Sequence, residues 1–374
     1  MAKENIDWTK VTQAVRTDVR LRATPNPVAR AVDIAHVRFS RQDVMKQGRF
    51  LADFGLREVP GSDGWQAFGG TGGYGPCYLL QQGEDAFMGL GLAVSSRADL
   101  EKLAAQRNAS GIEPALCWPG GEQVRLTDPA GNSVYAVHGP FVEAASPRPP
   151  LNQNLDNVLQ RLNDMQRPPE QAATVLRLGH GVLGVVDFFR CVRWYMDHFG
   201  LVPSDIQTIG EGDPALVFMR CNRGDMPVDH HTVVIAQNVL NLFSHAAFEC
   251  IDLDDIAMGQ EWLMSRGWKH AWGVGRHLLG SQIFDYWRDP VGDKLEHFVD
   301  SDKFTADKPA DVSPLSTGGL YQWGPPVPAD FEKPRMTPSL LWKAIRNIRA
   351  SEEMTFTRVK DLMRAVATPP RPWH

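Results

Sequence analysis

Several features that would assign this 374-residue sequence to a particular class of protein are missing from it. Its five cysteines are scattered, odd in number and form no CxxC pair, so neither a disulfide framework nor a zinc ribbon is indicated. Free, mostly buried thiols in a reducing cytoplasm are the default expectation. No apolar run of about eighteen residues could span a membrane. The N-terminal stretch MAKENIDWTKVTQAVR also has no apolar signal-peptide core. The net charge of -5, with no basic stripe, argues against a nucleic-acid partner.

What is present is an ordinary globular composition, 43% hydrophobic and 22% charged, in a chain of suitable length for two domains. Proline-rich breaks occur at SPRPP (146–150) and RPP (167–169). Between them, LNQNLDNVLQRLNDMQ has helical spacing of Leu and Val, which predicts a linker helix. We therefore expect an N-terminal arm (1–32), an N-terminal domain (33–150), a linker (151–176), a C-terminal domain (177–300) and a tail (301–374) with helix over 338–365, broken near 355–357.

The two domains resemble each other weakly in sequence. DIAHVRFSRQDVMKQGRFLADFGLREV, from residue 33, matches RLGHGVLGVVDFFRCVRWYMDHFGLVPSD, from residue 177. SSRADLEKLAAQRNASG matches DLDDIAMGQEWLMSRG, and VRLTDPAGNSVYAVHG matches YWRDPVGDKLEHFVD. Each match reads as a strand followed by a capped helix, or as two strands around a D-P-x-G turn. The pattern predicts an α+β chain of four similar units, two in each domain.

This duplication separates architectural positions from chemical ones. His180 has a counterpart in the first half, His36, but two other polar positions do not keep their residue type. His245 aligns with Gly89, and Glu296 aligns with Tyr135. A structural role would be kept in both halves, so we interpret His180, His245 and Glu296 as a site. Two imidazoles and one carboxylate with open positions suit Fe(II) or Mn(II) in oxygen activation.

Other polar residues fall near this set. Asp229-His230-His231-Thr232 precedes an apolar strand, and GRHLLGSQIFDYWRDPVGDKLE (275–296) carries His277 and Tyr286, both suited to proton transfer. Glu249 could equally be the carboxylate ligand, because it lies four residues after His245 and strand residues four apart share a face. The remaining histidines are interpreted as structural or surface residues: His36, His138, His198, His270 and His374.

Together these motifs resemble the type I extradiol ring-cleavage dioxygenases of the vicinal oxygen chelate superfamily, over roughly residues 33–300. The resemblance rests on GH at 179–180, DHHT at 229–232, HxxxE at 245–249 and the 275–296 stretch. It implies two domains of paired βαβββ modules, each a half-open β-barrel, with metal only in the C-terminal one. By residue, it implies metal ligation by His180, His245 and Glu296, acid–base chemistry at His231, catecholate hydrogen bonds from His277 and Tyr286, and supporting positions for His230 and Glu249.

The resemblance also implies a function. It predicts an Fe(II) enzyme, with Mn(II) as the alternative ion, that inserts both atoms of O2 into a catecholic ring beside the diol. The absence of a basic cluster favours a hydrophobic catechol, and the family favours a homo-oligomer. Alternatives are another metal-dependent superfamily enzyme, such as a glyoxalase-like isomerase or lyase, and a non-catalytic binding protein. Asp285, Gly280 and Ser281 depart from the family pattern, and Trp323, Pro325 and Phe331 could cover the funnel or pack between subunits.

Overall fold

The computed structural model describes residues 6–148, 151–331 and 337–367. Two curved mixed sheets, one of eight strands and one of nine, form the two domains. The sheets are built from four βαβββ units, as the internal repeats predict. The predicted fold class is therefore confirmed.

The N-terminal domain follows a helix in the arm, α1 (Trp8–Thr17). Its first unit comprises β1 (Ala31–Arg41), α2 (Val44–Asp53), β2 (Arg57–Ser62), β3 (Trp65–Gly69) and β4 (Tyr78–Gln82). Its second unit comprises β5 (Ala86–Val94), α3 (Arg97–Ala104), β6 (Glu113–Pro114), β7 (Glu122–Thr127) and β8 (Ser133–His138). The strand order β2-β3-β4-β1-β5-β8-β7-β6 places the first strands of the two units side by side.

The C-terminal domain repeats this plan. Its first unit comprises β9 (Arg177–Val185), α4 (Phe188–Phe199), β10 (Val202–Ile209), β11 (Asp213–Arg220), the short β12 (Val228–Asp229) and β13 (Val233–Gln237). Its second unit comprises β14 (Leu242–Glu249), α5 (Leu253–Ser265), β15 (Lys269–Arg276), β16 (Ile283–Arg288) and β17 (Lys294–Val299). The order β15-β16-β17-β14-β9-β13-β11-β10 makes β17, β14 and β9 central neighbours.

The helices begin where local chemistry favours it. The carboxylates of Asp43 and Asp252 and the hydroxyl of Ser96 each accept a hydrogen bond from a first-turn backbone N–H. Helix α4 ends at Gly200, whose φ of 66° is left-handed, as a glycine C-cap allows. These caps account for the helix boundaries that the sequence repeats predict.

The two domains share one continuous apolar core. Phe39 meets Phe243 with ring centroids 5.1 Å apart, and Phe54 meets Phe248 at 5.5 Å. Phe54 also stacks on His297 at 3.8 Å. Burying large aromatic surfaces across the interface contributes strongly to stability, so we expect the domains to unfold together.

The predicted linker helix is wrong. Residues 151–176 contain no helix. The Oδ1 atom of Asn154 instead accepts hydrogen bonds from the backbone N–H groups of Gln160 and Arg161, at 2.9 and 2.7 Å. Leu159 and Leu162 are 67% and 72% exposed, so a helix here would have nothing to pack its apolar stripe against. Hydrogen bonds from the backbone to the Asn154 side chain are therefore formed in place of a helix. Residues 149–150 of the proline-rich break lie outside the described residues.

The tail forms two short strands, β18 (Lys303–Phe304) and β19 (Asp311–Pro314), a 3₁₀ turn (Thr317–Leu320) and two helices, α6 (Pro338–Ala350) and α7 (Phe356–Ala367). The predicted helical stretch and its break are confirmed. β19 extends the nine-stranded sheet beside β10, and β18 pairs with β12. Within the described ranges, none of the helices has the length and apolar character needed to cross a bilayer. His374 lies outside those ranges.

Candidate metal centre

Three central strands of the C-terminal sheet bring His180, His245 and Glu296 together. In the sheet register, His180 on β9 lies opposite Ala247 on β14, which lies beside Glu296 on β17. Nε2 of His180 is 3.3 Å from Oε2 of Glu296, and Nε2 of His245 is 3.4 Å from the same oxygen. The three candidate ligand atoms lie within 4.8 Å of one another. The structure thus assembles the three residues that the repeat comparison selects.

The environment of Glu296 fits a bound divalent cation. Its side chain is fully buried, yet neither carboxylate oxygen has a hydrogen bond of normal geometry. Burial opposes ionisation, but the close imidazoles of His180, His245 and His277 hold the pKa of Glu296 well below its usual range. A buried, ionised and otherwise unsatisfied carboxylate is costly without a cation beside it. The two-imidazole, one-carboxylate set has the donor types of a non-haem iron or manganese site.

His231 stands beside this ligand set, with its ring centroid 4.0 Å from that of His180. Its pKa lies well below the usual value, first because the ring is buried and then because of the neighbouring imidazoles. Nδ1 of His231 is 2.9 Å from Nδ1 of His230, and Nε2 of His230 is 2.5 Å from Oδ2 of Asp205. Asp205 was missed by sequence reasoning, because nothing in PSDIQ distinguishes it from a surface aspartate.

His277 and Tyr286 lie on the opposite side of Glu296. Nε2 of His277 is 2.9 Å from the Tyr286 hydroxyl and 3.5 Å from Oε1 of Glu296. Nδ1 of His277 is 2.5 Å from the carbonyl oxygen of Leu320. Because a carbonyl only accepts, Nδ1 carries the proton in the neutral ring and Nε2 accepts from the tyrosine hydroxyl. Tyr286 lies directly opposite Glu296 in the pairing of β16 with β17, which is why both point to one centre.

The tail covers this side of the site. The Trp272 indole donates to the carbonyl oxygen of Pro325 at 2.9 Å, and the backbone N–H of Arg276 donates to that of Trp323. Phe331 is buried, with its ring centroid 5.0 Å from those of both Trp272 and Tyr286. The segment 320–331 therefore packs against the residues that flank the ligand set.

Glu249 does not join the ligand set. Its Oε2 is 2.8 Å from Nε of Arg177, in a cluster of ion pairs with Asp229 and Lys303. The spacing of four residues therefore does not bring both side chains to one centre: His245 lies 3.4 Å from Glu296, whereas Glu249 is held by these ion pairs. The alternative carboxylate ligand is thereby excluded, and Glu249 belongs to an ion-pair cluster rather than to the immediate surroundings of the site.

Asp285, which neither the repeats nor the family explained, has a structural role. Its buried carboxylate accepts hydrogen bonds from His270 at 2.7 Å and from the Trp287 indole at 2.6 Å. The register of Tyr286 is not disturbed. Gly280 also has a reason: its φ is +77°, and a Cβ there would lie 2.9 Å from Nδ1 of His230.

Comparison with known proteins agrees with this architecture. Residues 177–296 match the family model described as the Glyoxalase/Bleomycin resistance protein/Dioxygenase superfamily. Metapyrocatechase 2 of Cupriavidus necator is 29% identical over 205 residues, or 54% of this chain and 61% of the relative. The match thus spans about three fifths of that relative's length. It confirms the predicted resemblance to extradiol dioxygenases.

Solved structures show the same fold. The Mn(II)-bound glyoxalase from Novosphingobium aromaticivorans has a TM-score of 0.66 at 23% identity, covering 83% of this chain and 97% of the other. Homoprotocatechuate 2,3-dioxygenase from Arthrobacter globiformis also has a TM-score of 0.66, at 18% identity, covering 84% and 94%. At these identities the likeness concerns the fold alone, which a glyoxalase and a dioxygenase share.

Proposed function

We propose that this protein is a metal-dependent extradiol dioxygenase that opens a catecholic ring beside its diol with both atoms of O2. One observation carries the proposal: the ligand set is flanked by His231 on one side and by the His277–Tyr286 pair on the other. A metal site alone would serve many reactions, but two separate proton-handling groups suit a substrate that loses protons and a product that regains one. The similarity to a metapyrocatechase supports the same chemistry.

Fe(II) is the ion we propose, with Mn(II) as the alternative, held by His180, His245 and Glu296. When bound, the ion would polarise the diol as a Lewis acid and let the ring and O2 exchange electrons. Two neutral imidazoles and one carboxylate leave coordination positions open for substrate and O2. The described cysteines are all buried and free, and none belongs to the ligand set, so the set lacks the thiolates of a structural zinc site.

The chain's own groups then bind and move protons. Nε2 of His277 accepts from the Tyr286 hydroxyl and lies 3.5 Å from Oε1 of Glu296. A catechol hydroxyl can displace the tyrosine and give its hydrogen bond or proton to the same nitrogen. The Tyr286 hydroxyl is placed to donate to the resulting anionic oxygen, which is the role of an oxyanion donor. His231, neutral and buried beside His180, is placed to accept a proton and later to return it. The packed tail keeps bulk water from this side.

The substrate we propose is an uncharged, hydrophobic catechol. Phe284 stacks on His277 at 4.1 Å, and Phe218 lies 5.2 Å from His231, both as ring-centroid distances. The basic side chain nearest in sequence, Arg276, is already paired with Asp300. Aromatic walls beside a cation that is already paired favour an apolar ring substituent over a carboxylate. A homo-oligomer and a cytoplasmic location remain predictions, the first testable by light scattering and the second by fractionation.

The decisive experiment is oxygen uptake by Fe(II)-loaded and Mn(II)-loaded protein with catechols of graded size and charge. Ring opening gives a yellow product and consumes one O2 for each catechol. If neither metal form consumes oxygen with any catechol of the panel, the proposal is wrong. His231→Gln should keep the metal and lose most turnover, whereas His198→Gln, a matched change in α4, should keep both.

The solved glyoxalase of the same fold makes an isomerase or lyase the second candidate. This second candidate predicts turnover of a thiol adduct without oxygen uptake, and activity that a redox-inert ion such as Zn(II) also restores. The flanking trio of His231, His277 and Tyr286 favours the first candidate, because isomerisation has no need of three such groups. Assaying both reactions on one metal-loaded sample separates the two.

A further inference from the structure

A buried line of three polar side chains runs from the sheet interior to the ligand set. Asp205 lies on β10, His230 and His231 follow β12, and all three are almost fully buried. Oδ2 of Asp205 is 2.5 Å from Nε2 of His230, and Nδ1 of His230 is 2.9 Å from Nδ1 of His231. Among the described residues, these bonds involve only one nitrogen of His231, and its other nitrogen is left for the site.

The direction of these hydrogen bonds follows from the types of atom. An ionised carboxylate can only accept, so Nε2 of His230 carries a proton and donates to Asp205. In a neutral His230 the Nδ1 atom is then bare and must accept from Nδ1–H of His231. A neutral His231 with its proton on Nδ1 has an unprotonated Nε2. The carboxylate thus selects, through one intervening ring, the tautomer that can act as a base.

We infer that Asp205 and His230 are positioning residues that hold His231 as the Nδ1–H tautomer, with its Nε2 left to accept at the ligand set. This inference rests on the proposed function. The two hydrogen bonds, at 2.5 and 2.9 Å, carry it.

Packing prevents His230 from adopting another orientation. Its backbone N–H donates to the carbonyl oxygen of Asp302 at 2.9 Å, and its ring lies between Phe304 and Phe218, at centroid distances of 5.3 and 5.7 Å. Gly280 is so close that a Cβ there would lie 2.9 Å from Nδ1. A ring held on every side keeps its hydrogen bonds aligned before substrate binds, as preorganisation requires.

Asp205→Asn tests the inference, because it keeps the shape and removes the obligatory acceptor. The amide can donate as well as accept, so the Nε2–H tautomer of His231 should become populated. The measurement is long-range ¹⁵N–¹H correlation on histidine-labelled, Zn(II)-loaded protein, which is diamagnetic. The His231 signals are assigned by their loss in His231→Gln. Wild type should show a single Nδ1–H tautomer near neutral pH.

Kinetics give the second readout. In Asp205→Asn, kcat should fall by on the order of 10²- to 10⁴-fold, the upper end being the loss seen when the carboxylate of a serine-protease triad becomes an amide. KM for catechol should change little, because neither residue contacts the substrate. A merely structural role would lower stability without this split between kcat and KM.

Asp285→Asn is the matched control. It changes another buried aspartate that accepts a hydrogen bond from a histidine, at 2.7 Å from His270, but on a pair that is not connected to His231. It should lose stability and keep kcat. If Asp205→Asn does not fold, His230→Asn replaces it. The shorter amide can donate to Nδ1 of His231 as well as accept from it, so it no longer selects one tautomer and the same loss of kcat is expected.

Two results would overturn the inference. One is a wild-type His231 that carries its proton on Nε2. The other is an Asp205→Asn protein with native fold, full metal content and unchanged kcat. Failure of the proposed function is distinguishable, because wild type would then consume no O2 with any catechol. The tautomer measurement would still support or reject the positioning role of Asp205 and His230.

Discussion

The two domains place equivalent residues around equivalent centres, and only one centre is built for a metal. In the N-terminal sheet, His36 on β1 lies opposite Gly91 on β5, which lies beside Tyr135 on β8. In the C-terminal sheet the same positions are His180, Ala247 and Glu296. Both first strands also carry a register shift at the same point, between the histidine and the residue two positions before it. The duplication is therefore visible in the structure as well as in the sequence.

A fixed cation occupies the N-terminal centre. Nε of Arg38 donates to Nε2 of His36 at 2.8 Å, its terminal nitrogen donates to Gln123 at 2.6 Å, and its Cζ lies 3.4 Å from the ring centroid of Tyr135. Burial, followed by the Arg38 charge, holds the pKa of His36 well below its usual value. At the position of Arg38 the C-terminal domain has Val182, which brings no charge of its own. One half carries its positive charge in the chain, and the other is built to bind one.

The backbone also prevents the N-terminal centre from holding the same ligands. Gly89, the counterpart of His245, has a φ of +124°, and a Cβ there would lie 2.2 Å from the carbonyl oxygen of Ser133. No histidine could stand there without moving the strand. The comparison teaches that the first domain diverged in its backbone, not only in its side chains, so a metal site could not be restored there by side-chain changes alone.

The largest expected effect comes from removing the carboxylate that distinguishes the two centres. Glu296→Gln should lose more metal affinity than the 10- to 100-fold, roughly, that removal of an outer partner costs, and turnover with it. Metal content after gel filtration, measured by mass spectrometry, checks this. Tyr135→Phe, at the equivalent N-terminal position, should change neither. A Glu296→Gln protein with full metal content would show that the ligand assignment is wrong.

The next effect is on stability alone. Arg38→Met should destabilise the protein by about 2–4 kcal/mol, because it leaves His36 and Gln123 without their partner in a buried space. Urea unfolding measures the loss, and kcat of the folded protein should be unchanged. Arg125→Met, an exposed change in the same domain, should stay within about 0.5 kcal/mol of wild type. A fall in kcat for folded Arg38→Met would mean that the first centre takes part in catalysis.

A smaller effect is expected at the substrate side of the metal centre. Tyr286→Phe should lower kcat/KM about 10- to 100-fold, near or below the loss of one oxyanion donor. Metal content should not change. Tyr195→Phe, which removes another buried tyrosine hydroxyl, 3.1 Å from Asp128, should cost stability only. Equal activities for the two variants would remove Tyr286 from the proposed mechanism.

The smallest effect concerns the interface, where two equivalent positions contact each other. Asp33 and Arg177, each three residues before its strand's histidine, form an interdomain pair at 3.4 Å. Burial, opposed by Arg177, raises the pKa of Asp33 from 3.8 to about 6. The folded protein therefore binds more protons than the unfolded chain between these values. Wild-type stability contributed by Asp33 is full below the lower value and is lost as pH rises through the upper one.

Asp33→Asn removes this dependence. The variant should gain stability relative to wild type as pH rises through about 6. Since the side chain is 23% exposed, solvent screening limits the gain to on the order of 1 kcal/mol. Urea unfolding at several pH values measures it, with exposed Asp63→Asn as control. A gain that shrinks with rising pH would contradict the assignment.

Much of the fold and of the candidate metal centre could be predicted from the sequence, because both depend on short-range patterns. Helix caps and D-P-x-G turns occur in both halves, and they align the positions of His180, His245 and Glu296 with His36, Gly89 and Tyr135. Strand pairing then brings the three residues of the C-terminal half together. Glu249 could not be excluded in this way, since its ion pairs with Arg177 and Lys303 join residues that are distant in the chain. The linker helix was wrong because its apolar stripe has no partner surface.

By itself, the sequence determined the four repeated units, the duplicated turns and the asymmetry of ligands between the two halves. Only the tertiary structure decided that Arg38 fills the first centre, that Asp205 stands behind His230, and that Leu320 orients His277. Each of these is a contact between residues distant in the chain. Their geometry depends on sheet order and packing, which local propensity does not encode.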